Sequence, residues 1–482
     1  MAGVPLAVDM DGTLIRTDTL QESLLVLART KPLLLPRLPI WLARGGRAGF
    51  KRKVAESVTP NVDSLPVNQG FVDWLGGQRL GGRRLVLVTA ADSSLATRIA
   101  DRVGVFDDVL ASDGVLNLSG SRKAGILVER FGEGGYDYAG NSRADVEVWR
   151  HARRAIIVNP NRDVATRAAA VAEVETEFPS TPVGARTWLW MLRAHQWLKN
   201  VLVALPLIAA HERPTPDVIL GVLLAFAAMS MCASAVYVVN DLVDLEHDRL
   251  HVRKRTRPFA SGRMPLWVGI VAAPTLFGTS VWLATIVNMR FLAWLLVYVA
   301  VTTAYSFALK RLAILDCLVL ALLYTLRVVA GAAATQITLS FWLLALCVFV
   351  FLSLAFLKRY AELLVHTRNS HGAPEGGALS GRGYSAVDSQ LVQMLGVASG
   401  FAAVLVFAMY LDSPSVRVQY LTPEILWAGV LVLLYWLSWL WLKANRGEMH
   451  DDPVIFAAKD RTSLASGAVL AIVFTLASFV RL

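Results

Sequence analysis

The sequence predicts two domains of different fold class, an α/β domain at residues 1–185 and an all-α membrane domain at residues 186–482. The composition is the first reason: 55% of the residues are hydrophobic, 17% are charged, and the mean hydropathy is +0.50. Soluble domains contain about a quarter charged residues, so the composition disfavours an ordinary soluble enzyme, a disordered chain and a disulfide scaffold. The second reason is distribution. Short apolar strands alternate with helical stretches before a linker at 173–182, and long apolar stretches follow it.

The amino-terminal domain is predicted to contain a parallel sheet. One short apolar strand ends just before Asp9, and a second ends just before Thr89. Buried strands that alternate with helices are typical of parallel sheets with crossover helices. Because the first strand leads directly into Asp9 and Asp11, we expect no secretory signal peptide and a cytoplasmic amino terminus.

Asp9 and Asp11 are the first candidate catalytic residues. They lie two residues apart at the carboxyl end of the first strand, where α/β proteins bind ligands. One carboxylate could attack a phosphorus atom and the other could protonate the leaving oxygen, while Mg²⁺ screens their repulsion. The alternative interpretation is that the Asp-Gly pair only forms a turn.

The whole domain resembles the haloacid dehalogenase (HAD) superfamily of phosphatases. The resemblance implies a Rossmann-like fold with a small helical cap at about 20–78, and it implies Mg²⁺ as cofactor. It assigns these roles: nucleophile Asp9, general acid and base Asp11, phosphate-binding Thr89, phosphate-steadying Lys123, and Mg²⁺ ligands Asp9, Asp11 and Asp145. The family's fourth motif, usually GDxxxD, begins here with Gly140 and Asn141, so one acidic residue is replaced by an amide.

The predicted cap contains an apolar and basic run from Leu33 to Lys53. Such a run is typical of a helix at an anionic membrane surface. A cap helix that packs on its own domain would have the same pattern. The sequence leaves both interpretations open.

The membrane domain is predicted to have nine spans. The apolar stretches lie at about 198–211, 217–240, 265–287, 290–307, 313–334, 338–357, 390–411, 424–443 and 463–481. Most reach the roughly 20 residues that cross a bilayer, although the first is short. With the amino terminus inside, the loops at 241–264, 308–312, 358–389 and 443–462 hold 16 Lys and Arg residues and the opposite loops hold three. This asymmetry predicts a multi-pass protein of the cell inner (plasma) membrane, with those four loops cytoplasmic and no nucleic-acid partner.

An acidic motif follows the second span. Asp241, Asp244 and Asp248 have i, i+3, i+7 spacing and would share one face of a continued helix. Carboxylates at a membrane boundary are costly unless they have a function. This face could hold Mg²⁺ and a pyrophosphate group. The basic residues that follow, including Arg257, could bind phosphate or only orient the spans.

A second polar set surrounds the start of the fifth span. It comprises Tyr305, Lys310, Arg311 and Asp316, with Arg327 further along the same span. Asp316 and Arg327 are eleven residues apart, close to three helical turns, so they are predicted to share a face. Arg327 is predicted to bind a ligand or an ion-pair partner, and a purely structural pair is the alternative.

The acidic motif, this second set and the predicted spans together resemble the UbiA superfamily of intramembrane prenyltransferases over residues 190–482. Five further segments, 193–200, 358–362, 381–384, 451–454 and 459–461, are similar to one branch, the decaprenyl-phosphate phosphoribosyltransferases. That branch transfers 5-phosphoribose from phosphoribosyl pyrophosphate (PRPP) to a polyprenyl phosphate, in the synthesis of arabinose donors for cell-wall arabinogalactan.

The resemblance implies Mg²⁺-dependent transfer at the cytoplasmic face, with Asp241, Asp244 and Asp248 as metal-binding and catalytic residues. The residues expected to bind substrate are Lys199, Asn200, Asn240, Arg257, Tyr305, Lys310, Asp316, Arg327, Lys358, Arg359, Arg382, Tyr384 and Lys459. The fused phosphatase-like domain is expected to remove the 5-phosphate of the product.

Two other functions stay open at this point. One is a prenyltransferase that joins a polyprenyl pyrophosphate to an aromatic or other small acceptor, although Asp316 stands alone where such enzymes commonly have a second DxxxD. The other is a transporter or scaffold with a phosphate-sensing domain. The expected partners are PRPP, polyprenyl phosphate and membrane lipid, and the choice between monomer and homo-oligomer also stays open.

Overall fold

The computed structural model describes residues 3–180, 182–210, 214–369, 382–413, 416, 420–449 and 452–480. Two residues of the motifs above, Gly381 and Asp451, lie outside this part of the chain. The chain forms two compact units. The first contains Met1–Leu192 and Tyr237–Ala273, and the second contains Arg193–Val236 and Pro274–Leu482.

The first unit is built on a parallel sheet of six strands. The strands are β1 (Leu6–Val8), β2 (Leu85–Asp92), β3 (Asp108–Ser112), β4 (Asp137–Gly140), β5 (Arg154–Val158) and β6 (Glu173–Phe178). Their order in the sheet is β3-β2-β1-β4-β5-β6, and every neighbouring pair is parallel. The α/β prediction for this part of the chain is confirmed.

Nineteen α-helices are described. They are α1 (Thr19–Thr30), α2 (Leu38–Ser57), α3 (Gln69–Leu80), α4 (Ser93–Val103), α5 (Ser121–Phe131), α6 (Val146–Trp149), α7 (Arg162–Val171), α8 (Ala185–Met191), α9 (Leu205–Ala209), α10 (Pro216–Val243), α11 (Leu245–Leu250), α12 (Leu266–Val287), α13 (Met289–Phe307), α14 (Leu315–Thr335), α15 (Phe341–Asn369), α16 (Ser389–Leu411), α17 (Trp427–Asn445), α18 (Pro453–Ala457) and α19 (Arg461–Phe479).

The strands are apolar throughout because both faces of the sheet are covered. Leu6 and Val8 of β1 contribute to one hydrophobic core, and Ala7 between them contributes to the other. Successive side chains of a strand point to opposite faces, which explains this division. The cores fix the carboxyl ends of β1 and β2, where the candidate catalytic residues lie.

The segment predicted as a helical cap is helical. It contains α1, a 3₁₀ helix at Pro32–Arg37, α2 and a short 3₁₀ helix at Val62–Ser64, and α3 begins within it. Helix α2 is interrupted at Gly46, whose φ of 56° lies in the left-handed region. Glycine adopts this conformation without the steric cost of a Cβ atom.

Residues 237–273 pack with the amino-terminal residues in the first unit. A hydrophobic core joins Met191 to Val238, Leu242 and Phe259, with Leu25 of α1 packed against it. The segment after α10 therefore forms part of the surroundings of α1.

In the described part of the chain, eight helices are long and apolar enough to cross a membrane: α10, α12, α13, α14, α15, α16, α17 and α19, with α16 and α17 each extended by a preceding 3₁₀ turn. The predicted first span, at 198–211, is the exception to the nine expected. Among the described residues it consists of the end of a 3₁₀ helix, Ala194–Ala204, and the short helix α9. Pro206 lies in the first turn of α9 and has no backbone N–H to donate. Proline is tolerated in the first turn of a helix but interrupts the interior of a longer one, so α9 begins here rather than continuing an earlier α-helix. The chain is a multi-pass integral membrane protein.

Candidate active sites

The amino-terminal candidate residues line one cavity in the first unit. Its volume is about 400 Å³, and Asp9, Asp11, Thr89, Lys123 and Asp145 all contribute to its wall. Asp9 directly follows β1, Thr89 lies in β2, and Lys123 is on α5. The parallel sheet therefore brings together residues that are up to 136 positions apart in the sequence.

Lys123 connects the two acidic sides of this cavity. Its Nζ atom lies 2.6 Å from Asp9 Oδ1 and 3.7 Å from Asp145 Oδ1, and it donates to the Tyr138 hydroxyl at 2.8 Å. The lysine side chain is buried. Burial would lower the pKa of Lys123, but the charges of Asp9 and Asp145 outweigh burial and raise it. The residue thus stays charged and fixes the position of the Asp9 carboxylate.

Asp145 is anchored by its neighbours in the chain. Its Oδ2 atom accepts hydrogen bonds from the backbone N–H of Asn141 and from both the N–H and the hydroxyl of Ser142. Its Oδ1 atom accepts from the Tyr138 hydroxyl at 2.6 Å. Tyr138 is therefore a structural partner of the site that the motif comparison did not identify.

Asn141, which replaces the usual acid, packs tightly against the catalytic loop. A Cβ atom on Gly12 would lie 2.0 Å from Asn141 Nδ2, and Gly12 has a φ of 76°. Only glycine fits at this position, because both the backbone conformation and the close approach exclude a side chain. Asn141 is thus placed beside the loop that carries Asp9 and Asp11.

Asp11 has the surroundings of a general acid. Its two carboxylate oxygens accept hydrogen bonds from the backbone N–H and the hydroxyl of Thr19, at 3.0 and 3.2 Å. Burial, together with the charge of Asp18, raises the pKa of Asp11 to about 7. Burial also raises the pKa of Asp9, to about 6, against the opposing effect of Lys123. A carboxyl group with a pKa near neutrality can hold a proton and deliver it to a leaving oxygen.

Carboxylate and amide oxygens are hard donors that suit Mg²⁺. Here Asp9 and Asp145 lie on either side of Lys123, with the Asn141 side chain beside Gly12. Within the described ranges, no three His, Cys, Asp or Glu side chains are grouped closely enough to hold a metal ion. The chemistry of the oxygen donors that line the cavity, Asp9, Asp11 and Asp145 with Asn141, fits Mg²⁺.

The segment after α10 forms part of the wall of this cavity. Pro265 and Leu266 line it together with Arg16 and Gln21. Gln21 Oε1 accepts a hydrogen bond from the backbone N–H of Trp267 at 3.1 Å. The sequence analysis did not foresee this contact, since nothing in the motifs links the segment to the amino-terminal residues.

A buried ion pair holds the same segment against α1. Arg249 donates to both carboxylate oxygens of Glu22, at 3.1 and 2.6 Å, and both side chains are 5% exposed. Arg249 also donates to the backbone oxygen of Ala260, and Glu22 accepts from the Thr17 hydroxyl. Each of the three guanidinium nitrogens of Arg249 therefore donates a hydrogen bond, and both carboxylate oxygens of Glu22 accept one. Glu22 and Arg249 are 227 positions apart, so no local sequence pattern could indicate that they pair.

The acidic motif is held together by an arginine. One Arg257 nitrogen lies 3.1 Å from Asp241 Oδ1 and also contacts Asp248. Asp244 lies between α10 and α11 as the residue that precedes α11, so the helical path is nearly continuous. Its N–H bonds to the backbone oxygen of Asn240 at 2.8 Å.

One buried oxygen of this motif, Asp248 Oδ1, could accept a further hydrogen bond or bind a cation. Asp248 Oδ1 is buried and has no hydrogen-bond partner within the described part of the chain, and Lys254 Nζ lies 3.8 Å from it. Burial raises the pKa of Asp248 against the opposing charge of Arg257. The motif thus offers a buried oxygen that a divalent cation could use, which fits the expectation of Mg²⁺.

In the second unit, two lysines converge on Asp452. Lys199 Nζ and Lys358 Nζ lie 2.7 and 3.0 Å from Asp452 Oδ2, and the Asp452 side chain is 7% exposed. The Tyr324 hydroxyl donates to the same carboxylate. The sequence analysis named both lysines but not Asp452 as a site residue, although it noted the segment that contains it.

Arg327 lies near this group and bonds to neutral partners. It donates to Asn200 Oδ1 at 2.9 Å, to the Tyr298 hydroxyl at 2.8 Å and to the Leu323 backbone oxygen. Its guanidinium also lies 5.5 Å from the centre of the Tyr324 ring, which the Lys199 ammonium approaches at 5.6 Å. We call Lys199, Lys358, Arg327 and Asp452 the cationic cluster. It has three positive groups and one carboxylate.

Asp316 belongs to a separate, charge-balanced group. It contacts Arg359, accepts from the Tyr384 hydroxyl at 2.6 Å, and lies 3.6 Å from Arg382. Arg359 also contacts Glu362 and donates to the Tyr305 hydroxyl. Asp316 and Arg327 therefore have different partners although one helix carries both. The structure brings Tyr305, Arg359, Arg382 and Tyr384 together around Asp316.

Two more residues, Lys310 and Lys459, were predicted from the sequence to bind substrate. Lys310 is half-buried in a 3₁₀ turn at Leu309–Arg311, and Lys459 is exposed after α18. One lysine was missed: Lys51 of α2 donates to Ala90 O at 2.7 Å and to Asn117 Oδ1 at 3.1 Å, near Asp11 and Asp18. Burial lowers its pKa.

Comparison with known proteins identifies the family. The sequence profile of the UbiA prenyltransferase family matches residues 200–464, more than half of the chain. The chain belongs to this family and is a membrane transferase. The alternative of a transporter or scaffold is therefore set aside.

Curated relatives cover both parts of the chain. An uncharacterised protein of Sinorhizobium fredii, y4nM, is 37% identical over 98% of this chain and 91% of its own length. Nodulation protein NoeC of Azorhizobium caulinodans is 35% identical over 60% of this chain and 92% of its own length. The decaprenyl-phosphate phosphoribosyltransferase of Mycobacterium tuberculosis is 37% identical over 45% of this chain and 72% of its own length.

Solved structures are more distant. A UbiA homologue from Archaeoglobus fulgidus bound to DMAPP and Mg²⁺ covers 61% of this chain and 100% of its own, with 15% identity and a TM-score of 0.46. A phosphoserine phosphatase in apo form covers 36% of this chain and 92% of its own, with 14% identity and a TM-score of 0.26.

Proposed function

We propose that this chain transfers 5-phosphoribose from PRPP to a polyprenyl phosphate and releases pyrophosphate. The observation that carries the proposal is the 37% identity to a decaprenyl-phosphate phosphoribosyltransferase over 223 residues. We place the reaction at the cytoplasmic face of the plasma membrane, because the predicted cytoplasmic loops carry the basic residues. The product would serve as a precursor of cell-wall arabinose donors.

The acidic motif suits the pyrophosphate of PRPP. Mg²⁺ held by Asp241 and Asp248 would neutralise charge on the leaving pyrophosphate. Arg257, already in contact with both carboxylates, can then turn its remaining donors to phosphate oxygens. The bond from the sugar carbon to the pyrophosphate oxygen breaks, and the electron pair leaves with the pyrophosphate.

The cationic cluster suits a phosphate anion. Lys199 and Arg327 are buried and Lys358 is partly exposed. An excess of positive charge that is largely withdrawn from water favours an anionic ligand. Lys199 and Lys358 can hold an oxygen of the polyprenyl phosphate as it forms the new bond to the sugar carbon. The acceptor phosphate is already ionised near neutral pH, so no general base is needed. The residues must instead position two anions that repel each other.

The amino-terminal domain is proposed to remove the 5-phosphate of the product. Asp9 would attack the phosphorus atom while Asp11 protonates the sugar oxygen that leaves. Water would then release phosphate from Asp9, with Asp11 accepting its proton. Mg²⁺ at Asp9 and Asp145 would screen the incoming phosphate from the carboxylates. The contact of Lys123 with Asp9 and the raised pKa of Asp11 support these roles.

The transfer is tested with membranes that contain the full chain. They receive radiolabelled PRPP and polyprenyl phosphate, with and without Mg²⁺, and the lipid is extracted. We expect labelled lipid that requires Mg²⁺, a loss of at least a hundredfold in Asp241→Asn, and no loss in Asp217→Asn. Asp217 is the matched control because it is exposed at the other end of α10. Absence of labelled lipid would defeat the proposal. Transfer of a labelled prenyl group from polyprenyl pyrophosphate to an aromatic acceptor, in place of the transfer from PRPP, would also defeat it.

The second step needs a separate assay. Purified phosphorylated lipid product is incubated with the wild type, Asp9→Asn and Asp101→Asn. Asp101 is exposed on α4 and serves as control. We expect phosphate release by the wild type and the control only. Equal release by Asp9→Asn would exclude this substrate for the amino-terminal site without affecting the transferase proposal.

A further inference from the structure

One end of the helical insertion has an unusual exposed surface. We call residues 32–47 the cap tip; they comprise the 3₁₀ helix Pro32–Arg37 and the first part of α2. Within this segment Leu33 is 89% exposed, Ile40 49% and Leu42 48%. Scattered exposed apolar residues are ordinary, but several within one short segment indicate a surface that contacts another apolar phase.

The cap tip is also strongly basic. Arg37, Arg44 and Arg47 are all exposed. Between Glu22 and Glu56 the sequence contains eight Lys and Arg residues and no acidic residue. The combination of exposed apolar side chains with uncompensated positive charge is typical of a segment that lies in the interface of an anionic bilayer.

The break at Gly46 separates the cap tip from the rest of α2. After the break, Ala48 and Val54 are buried, and Lys51 reaches Ala90 near the cavity. Before it, Leu34, Leu38 and Trp41 pack against Leu27, Val54 and Val58. The other large apolar side chains are exposed: Leu33, Leu35, Ile40 and Leu42. Packing within the domain therefore accounts for the second part of α2, but it does not account for the exposed apolar side chains of the first part.

The position of the bilayer is constrained by the same compact unit. This unit contains the end of α10 at Val243 and the start of α12 at Leu266, and both helices are long and apolar enough to span a membrane. The unit therefore lies at the membrane surface. We propose that the cap tip rests in the interfacial region of the bilayer and is attracted there by anionic lipid. This contact is independent of the reactions proposed above.

The test measures the depth of single labelled positions in the full chain. The native cysteines Cys232, Cys317 and Cys347 are buried. Leu33→Cys and Leu80→Cys variants are labelled with an environment-sensitive fluorophore and reconstituted into liposomes. Leu80 is the matched control because it is 93% exposed at the end of α3 in the same unit.

We expect blue-shifted emission at position 33 and quenching by nitroxide-labelled lipids, with neither effect at position 80. Equal quenching at the two positions would overturn the proposal. A blue shift at position 33 without lipid quenching would indicate a protein partner, such as a second copy, and would also overturn it.

The charge dependence is tested with the Arg37→Gln, Arg44→Gln, Arg47→Gln triple variant and with liposomes that lack phosphatidylglycerol. Each basic side chain near an anionic surface is worth roughly a fivefold preference, so the triple change should lower the bound-to-unbound ratio of the cap tip about a hundredfold. Neutral lipid should have a comparable effect on the wild type. Unchanged quenching in both experiments would refute the role of anionic lipid.

Discussion

Gly262 provides a sensitive test of the contact between the segment after α10 and the amino-terminal residues. Its φ is 69°, and a Cβ atom added there would lie 2.6 Å from Arg16 Cβ and 2.8 Å from the Arg16 backbone oxygen. Carbon atoms in contact normally lie about 3.5–4.0 Å apart. A backbone oxygen cannot rotate away as a side chain can. Gly262→Ala must therefore separate the two segments by about 1 Å.

Gly82→Ala is the matched control. Gly82 has a similar φ of 80°, but a Cβ atom there would meet nothing within 4 Å. The left-handed conformation costs alanine about 1–2 kcal/mol in both variants. Gly262→Ala should cost an additional 1–3 kcal/mol, roughly, because it also overfills a packed contact.

The assay is thermal unfolding of the full chain in detergent, followed by phosphate release from the proposed product. We expect a lower midpoint for Gly262→Ala than for Gly82→Ala, by about 2–4 °C for each additional kcal/mol. We also expect slower phosphate release by Gly262→Ala, because the displaced segment carries Pro265 and Leu266 of the cavity wall. Equal midpoints for the two variants would refute the contact.

Two further predictions concern buried ion pairs. Arg249→Met should destabilise the first unit by about 3–5 kcal/mol, because Glu22 stays buried without its partner. The Glu22→Gln, Arg249→Met double variant should recover part of that loss in thermal unfolding. A double variant as unstable as the single one would contradict this prediction. Asp452→Asn should lower the unfolding midpoint of the detergent-solubilised chain, because Lys199 and Lys358 lose their shared carboxylate. The control is Asp460→Asn, at the residue that caps the amino terminus of α19. Added inorganic phosphate should restore more of the midpoint in Asp452→Asn than in Asp460→Asn, and equal restoration would argue against anion binding by the cationic cluster.

The fold class could be read from the sequence because it depends on local patterns. Apolar strands before Asp9 and Thr89 predict the parallel sheet, and long apolar stretches predict the membrane helices. The first stretch, at 198–211, is not among the candidate spans of the described residues, because it combines a 3₁₀ helix with the short helix α9, and hydropathy does not register that geometry. The order of strands in the sheet required the structure, since sequence order does not fix which strands are neighbours.

The site residues were predictable where a motif brings chemistry and spacing together. Asp9 and Asp11 are two positions apart, and their environment is set by one strand end. Asp452 and Glu22 were missed as site residues because their partners lie 253 and 227 positions away. A single buried carboxylate has no local pattern, and its importance depends on which cations the fold brings to it.

The adjacent residues Asp248 and Arg249 suggest why the segment after α10 packs with the amino-terminal domain. On helix α11, Asp248 contacts Arg257 within the acidic motif, whereas Arg249 contacts Glu22 on α1. Helix α1 begins at Thr19, which binds the carboxylate of Asp11. A displacement of α11 would therefore change the surroundings of both proposed reaction centres. Since the Arg249 side chain is buried and bonds to Glu22 through two nitrogens, the link it forms would hold the acidic motif and Asp11 in a fixed relation, as the proposal of two successive reactions on one lipid-bound product requires.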